Sequence, residues 1–386
     1  MIVFITGATG FLGGELVVRL SKDKRIKTIY CLIRANDEKD ALFRLEKIFG
    51  LHNDYLDREK IIPVLGDLYD EQLTENLNNK KELREINFII HSAANTSFSR
   101  IFDDMIVKAN IDGLNRILLW AKQLENLSTF LYIGTATICG KDIQNRVIYE
   151  NESPDINASH LVKYTYTKMQ GELLLNTHLP EEKILIARPS IIMGDSRMLT
   201  PRSPVILWAL ATVNSLRLCT INADSAVDII SVDYAADAIV KLLFAQRKHR
   251  VYHISAGKNS ASTPNQVFEA IGSQFSSLPK FKFVHKSLLE QMKKWAKGSL
   301  NLNEELYKYS SYLDYWEEIF QDKKNLRIIL AGLEPYIEFI ALGQVFDNSR
   351  LLEDVDIEPS KPVHEYIINS IGYIKKIKIL EGAIDF

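Results

Sequence analysis

The opening stretch, MIVFITGATGFLGGELVVRLSK, restricts the fold more than any other part of the chain. A short apolar run over residues 2–5 breaks into a glycine-rich turn and then into a helical pattern reaching Leu20. The rhythm recurs. Apolar runs in KTIYCLIR, KIIPVLGDL, INFIIHSAA, LSTFLYIGTA and EKILIARPS predict five further strands, with helical segments between most of them, including 38–49, 110–124 and 162–176. Apolar strands alternating with helices need cover on both faces, so the pattern predicts an α/β, doubly wound Rossmann-type parallel sheet.

After Gly194 the alternation changes. PVILWALATVNSLRL reads as a helix, VDIISVDYAADAIVKLLFAQ as a strand edge turning into a helix, and VYHIS as a late strand. From about residue 258 the pattern is helical, with aromatic clusters such as YKYSSYLDYW. The expected division is a dinucleotide-binding domain over 1–195, a substrate-domain segment over 196–225, a return to the first domain over 226–257, and a smaller, mostly helical substrate and C-terminal domain over 258–386.

Composition narrows the class. Lys plus Arg (47) nearly balances Asp plus Glu (49), so no basic excess points to nucleic acid. Cys31, Cys139 and Cys219 form neither a disulfide framework nor a CxxC pair, which fits a reducing interior. The chain opens directly into a strand pattern without a signal-peptide arrangement, and a cytoplasmic location is the expectation. The most apolar segment, IILAGLEPYIEFIALGQVF, is interrupted by Glu334, Pro335 and Glu338, so no transmembrane span is expected. Peripheral contact with a bilayer and homodimer formation stay open.

Gly7, Gly10 and Gly13 stand between a strand and a helix, the setting for a dinucleotide pyrophosphate on unpaired helix N–H groups. The competing reading is a tight turn with close helix–sheet packing. Thr6, Thr9, Phe11 and Leu12 flank the glycines and join them as candidate cofactor contacts. The second strand ends in Arg34, where an NAD-binding chain would carry an acid; an arginine fork there, with Arg44 farther along, suits the 2′-phosphate of NADP(H). Asp37 and Glu38 follow, and a solvated charged loop is the rival account. Asp67 could accept from the adenine amino group with Leu68 against the ring, or could simply cap the next helix. Ala93 and Ala94 are small enough for a cofactor to pass close by.

KYTYTK, from Lys163 to Lys168, carries the candidate chemistry. Residues four apart on a helix share a face, so Tyr164 and Lys168 face the same way and Tyr166 does not. A free phenol, with a pKa near 10, is a poor proton carrier at neutral pH, and a neighbouring ammonium favours phenolate. Lys168 would lower the pKa of Tyr164 and hold the nicotinamide ribose. Thr135, at the strand end GTATICG, would assist Tyr164 in protonating a carbonyl that receives hydride. The bland alternative is packing detail on an ordinary helix.

TGATGFLG, GDL, HSAA, GTATICG, YTYTK and ARPSIIMG appear in the order of the extended short-chain dehydrogenase/reductase superfamily, which the chain resembles over roughly residues 1–260. YCLIRA, LFRLEKIFG and HSAANTSFSRIFDDMIVKANIDG resemble its thioester-reductase and fatty-acyl-CoA reductase, or male-sterility-type, branch. That resemblance implies NADPH-dependent reduction of acyl thioesters, on coenzyme A or a carrier protein, to aldehyde and sometimes alcohol. It assigns catalytic positions to Thr135, Tyr164 and Lys168, a structural or proton-relay role to Asn110, and a place near the nicotinamide to Pro189 and Ser190. Thr135 stands where serine is frequent, and Cys139 replaces a frequent aromatic.

Two other functions share these residues. A nucleotide-sugar epimerase or dehydratase, or a ketone or sugar reductase, would need a diphosphate pocket, for which Arg197, Arg202 and Arg217 are candidates. A regulatory protein that binds dinucleotide without catalysis is the third reading. Trp295, Tyr312, Trp316, Ile328 and Leu330 could cover an acyl chain or form a helix core. No metal-ligand spacing, GxSxG elbow or GxxxxGKS loop occurs, so neither a metal nor those chemistries are expected.

Overall fold

The computed structural model describes residues 1–197, 204–275, 277–301 and 303–385. Seven strands, numbered within the central sheet, are β1 (Ile2–Thr6), β2 (Thr28–Ile33), β3 (Ile61–Leu65), β4 (Phe88–His91), β5 (Thr129–Ile133), β6 (Ile184–Pro189) and β7 (Val251–Ile254). All pairs are parallel, in the order β3-β2-β1-β4-β5-β6-β7. The order reverses between β1 and β4, the crevice where open α/β sheets bind ligands. The expected doubly wound architecture is present, with a largely helical region beside it.

Strand periodicity sends successive side chains to opposite faces. Val3 and Ile5 join Leu16, Cys31 and Leu242 on one side of the sheet. Phe4 joins Tyr30, Trp120 and Tyr132 on the other, its ring 4.6 Å from that of Trp120. In the segment after Gly194, Ile229–Ile230 pairs with Ile191–Ile192, and the helix Val232–Phe244 packs along the helix Phe11–Lys22. Ser231 caps that returning helix by accepting from Tyr234 N–H.

A third core fills the helical region, where Trp208, Trp316, Leu330 and Tyr336 are buried. The longest helix there, Lys323–Ile340, keeps Pro335 inside it. No helix of the described residues is long and apolar enough to cross a membrane. The expected helical run over 258–386 is interrupted late. Val345–Phe346 pairs with Val147–Ile148, and Leu351 and Val355 enter the core on the sheet.

Candidate functional site

Gly7 ends β1 with φ +75°, a left-handed conformation that glycine adopts without steric cost. A Cβ at Gly7 would sit 2.7 Å from Ala93 N, and one at Gly13 would sit 2.0 Å from the carbonyl oxygen of Gly7. Gly10 begins the helix Phe11–Lys22 without a side-chain cap, so the first-turn N–H groups face the loop with no acidic residue nearby. Phe11 and Leu12 are half-buried on that first turn. This cradle fits a dinucleotide pyrophosphate.

Thr6 is fully buried, and its hydroxyl accepts from Ala93 N–H (3.1 Å) and lies 3.1 Å from His91 Nδ1, tying the ends of β1 and β4 together. Burial, reinforced by the Lys168 charge, holds His91 down to about 3, so its ring is neutral. Arg34 is exposed just past β2. Arg44, on the helix Glu38–Leu51, donates to the carbonyl oxygen of Arg34 and, at 3.4 Å, to Thr9 Oγ1, so both arginines stand beside the loop. Asp37 is occupied: it caps the helix by accepting from Asp40 N–H at 2.7 Å. Asp67 accepts from Tyr69 N–H at 3.1 Å in a local turn, and Leu68 is buried against Gly113. Ala93 and Ala94 are half-buried just past β4. Pro189 and Ser190 sit at the end of β6, where the Pro189 carbonyl accepts from Ala136 N–H and Ser190 N–H donates to Ile254.

Tyr164 and Lys168 lie one turn apart on the helix Lys163–His178, as the spacing predicts. Tyr166 points elsewhere, against His160. Burial pushes the Tyr164 phenol up to about 12, and a hydrogen bond with Thr135 offsets part of that rise. The Thr135 hydroxyl lies 2.9 Å from that of Thr137. Lys168 Nζ donates to the Ile133 carbonyl at 2.6 Å and stands 4.9 Å from the centre of the Tyr132 ring. Burial drives Lys168 down to about 7, against the opposing pull of Glu172. Burial acts against the tuning expected from the spacing. The phenol is held protonated, and the lysine is only partly cationic at neutral pH, because desolvation outweighs charge attraction in this wall.

Asn110 occupies a π-helical turn, Lys108–Gly113, a device frequent at functional sites. Its Oδ1 accepts from Asn95 N–H at 2.7 Å, and its Nδ2 donates to Asn95 O at 2.9 Å and to Thr167 Oγ1 at 3.0 Å. The side chain pins the loop after β4 to the helix bearing Tyr164.

The arrangement includes two groups that the sequence reading did not assign, Glu172 and Phe98. Glu172 and Arg188 form a buried ion pair, with Arg188 Nη2 2.7 Å and Nε 2.9 Å from the carboxylate oxygens. Glu172 falls four residues past Lys168, so extending the same face by one turn would have found it. Phe98 stacks on Tyr164 with centroids 6.3 Å apart and on Tyr336 at 4.7 Å. No local spacing signals that contact. Of the arginines considered for a diphosphate, Arg197 is held by Asp195 and Glu15 and Arg217 is buried against Phe275 and Phe281, while Arg202 lies outside the described residues. Trp295, Tyr312, Trp316 and Leu330 are buried in the helical core, and Ile328 is half-buried.

Comparison with known proteins agrees with this geometry. The chain is 23% identical over 438 aligned positions to the probable fatty acyl-CoA reductase 5 of Arabidopsis thaliana, covering 90% of this chain and 87% of that one. It is 27% identical to the putative fatty acyl-CoA reductase CG8303 of Drosophila melanogaster, covering 61% of this chain and half of that one. Among solved structures, the terminal R domain from the myxalamid PKS-NRPS biosynthetic pathway superposes with a TM-score of 0.69 at 20% identity, covering 96% of this chain and 89% of that one. A UDP-glucuronic acid 4-epimerase from Bacillus cereus superposes with a TM-score of 0.63 at 16% identity, covering 97% and 99%. At these identities the structures share the fold alone. The profile of the Male sterility protein family matches residues 5–239, more than half of the chain. The chain therefore belongs to the Male sterility protein family, with a dinucleotide-binding Rossmann fold of the extended short-chain dehydrogenase/reductase type, related to fatty-acyl-CoA and thioester reductases.

Proposed function

We propose that this chain is an NADPH-dependent reductase of acyl thioesters, carried on coenzyme A or a carrier protein, yielding aldehyde and free thiol. One observation carries the reading: the proton-bearing phenol of Tyr164 has the Thr135 hydroxyl as a hydrogen-bond partner and the Phe98 ring stacked against it. A proton donor set at an apolar wall suits a carbonyl attached to a hydrocarbon better than one within a sugar diphosphate.

When bound, a nicotinamide dinucleotide would supply hydride to the thioester carbon. Tyr164 donates its proton to the carbonyl oxygen, and Thr135 holds that oxygen as charge develops. The resulting hemithioacetal breaks its carbon–sulfur bond, leaving aldehyde and thiol. Lys168, its Nζ donating to the Ile133 carbonyl, would orient the ribose. Gly7, Gly10 and Gly13 admit the pyrophosphate, with Thr6, Thr9, Phe11 and Leu12 around it. Arg34 and Arg44 meet the 2′-phosphate, Asp67 and Leu68 the adenine, and Ala93, Ala94, Pro189 and Ser190 border the nicotinamide end. Asn110 is a positioning residue.

The test mixes purified protein with NADPH and a panel of acyl-CoA and acyl-carrier substrates. Thioester-dependent loss of NADPH with aldehyde trapped by a hydrazine is expected. Tyr164→Phe should lower the rate by about 100-fold or more while NADPH still binds, and Arg34→Ser should erode the preference for NADPH over NADH. A Tyr164→Phe variant that retains NADPH binding and full biological activity would favour the regulatory reading. Turnover of a nucleotide sugar, with no thioester reduced, would overturn the proposal.

A further inference from the structure

Three elements of the site converge on one buried ion pair. Glu172 follows Lys168 by one turn on the helix Lys163–His178, so the two share a face. Arg188 comes from the end of β6, directly before Pro189 and Ser190. Its Nε lies 2.9 and 3.2 Å from the two carboxylate oxygens of Glu172, and its Nη2 lies 2.7 Å from the second. Both side chains are buried, at 3% and 4% exposed. Gly134, just past β5 and beside Thr135, closes the junction: a Cβ there would stand 2.9 Å from Glu172 Oε1 and 3.6 Å from the Arg188 side chain. Its N–H donates to the Ala187 carbonyl at 2.8 Å, which binds the ends of β5 and β6 together.

A buried pair of this kind is weak evidence of stability, because desolvating two charges offsets most of their attraction. Its placement points to another role. Around Lys168 stand the Ile133 carbonyl and the Tyr132 ring from β5, His91 from β4, and Tyr164 and Glu172 from its own helix, with Arg188 beyond Glu172. His91 is held neutral by burial. Tyr132 and Cys139 both feel Glu172, and burial keeps both protonated. The negative charge in this wall therefore comes from Glu172. Burial drives the Lys168 ammonium down, and Glu172 pulls against it.

We propose that Glu172, clamped by Arg188, is a positioning residue that retains charge on Lys168 near neutral pH and locks the helix of Tyr164 to the strand end of Thr135. The inference rests on the reductase reading and adds the group that sets the charge of its lysine. A cation one turn from Tyr164 favours the phenolate left behind when the proton passes to the carbonyl oxygen.

The test titrates Lys168 directly, by nuclear magnetic resonance of protein carrying isotope-labelled lysine, with its signal assigned by the one missing from Lys168→Arg. Glu172→Gln, which keeps the shape and discards the charge, should lower the Lys168 midpoint by about one pH unit. Glu172→Leu combined with Arg188→Met removes both charges and should lower it too, while Glu172→Asp should hold it closer to the unaltered value. In thioester reduction, kcat of Glu172→Gln at neutral pH should fall about fivefold, as the charged fraction of Lys168 drops from about one half to about one tenth. That loss should shrink as the pH is lowered through the new midpoint. A melting transition like the unaltered protein's, with retained NADPH binding, shows each variant to be folded. Should Glu172→Gln fail this check, the paired variant carries the test, since replacing both partners of a buried pair is milder than removing one. An unmoved midpoint in the folded variants, with stability alone affected, leaves the pair a structural role and overturns the inference. A midpoint that moves as expected where no thioester consumes NADPH supports the assignment of Glu172 to Lys168 and removes the proposed reaction alone.

Discussion

A methyl group added at Gly13 would meet the backbone of Gly7, whereas Ala209 lines an apolar cavity in the helical region. The glycine loop and the apolar cavity both open space in the fold, by opposite means. The loop works by removing side chains, so that peptide groups close on an anion. The cavity works by bringing many bulky side chains near one another and leaving a gap. Tolerance to mutation should differ accordingly. Gly13→Ala places Cβ 2.0 Å from a carbonyl oxygen, a clash only backbone movement can relieve. It should cost about 3 kcal/mol or more and abolish measurable NADPH binding, as read by chemical denaturation and by titration. Ala209→Val, by contrast, should stay within about 1 kcal/mol of the unaltered protein. Equal damage from both would end the distinction.

This difference also explains what could be read in the chain. The loop is contiguous, its strand and helix are adjacent, and each glycine answers a local steric demand, so Gly7, Gly10 and Gly13 were legible. The pairing of Tyr164 with Lys168 was legible for the same reason, since it depends only on helical period. The cavity joins Ile191, Val213, Phe268 and Tyr336, which share no spacing. Leu330, singled out in the sequence, falls in the helical core but not in this cavity, whose lining takes Tyr336 and Phe339 farther along the same helix, where it meets Phe98. The charge balance at Lys168 was not legible either, because burial, which decides it, is a property of the assembled wall. Local devices show in sequence, and desolvation does not.

Lys168 offers a way to sharpen the same contrast, with a smaller effect. Its burial lowers it to about 7 from an ordinary value of 10.5. Raising the pH through about 7 should therefore discharge the ammonium and reduce kcat. Stability should move the other way. Between these two values the unfolded chain binds more protons at this lysine than the folded one does, so the contribution of Lys168 to stability rises with pH. Lys168→Arg keeps a cation throughout, and although its absolute rate should fall, the decline of kcat above neutrality should vanish. A decline that persists in the variant would assign the titration to another group.

The smallest expected effect tests whether the helical region is indeed governed by shape. Arg217 is only 2% exposed, and its Nε and Nη2 have no hydrogen-bond partner among the described residues. Its guanidinium lies 4.7 Å from the centre of the Phe281 ring and 5.7 Å from that of Phe275. Burial lowers its pKa. The pair of Arg188 with Glu172, on the helix that carries Tyr164, shows what a compensated buried arginine looks like, with two close contacts to one carboxylate. Arg217 instead retains an aromatic sandwich of the kind that favours a guanidinium by about 1 kcal/mol, set against the desolvation of an unpaired charge. Arg217→Met keeps the length and apolar contact of the side chain while discarding that charge. Its melting temperature should be unchanged or higher, by an amount worth about 1 kcal/mol. A loss of several degrees would show that the rings hold a cation for a reason of charge, and shape alone would no longer account for this side of the molecule.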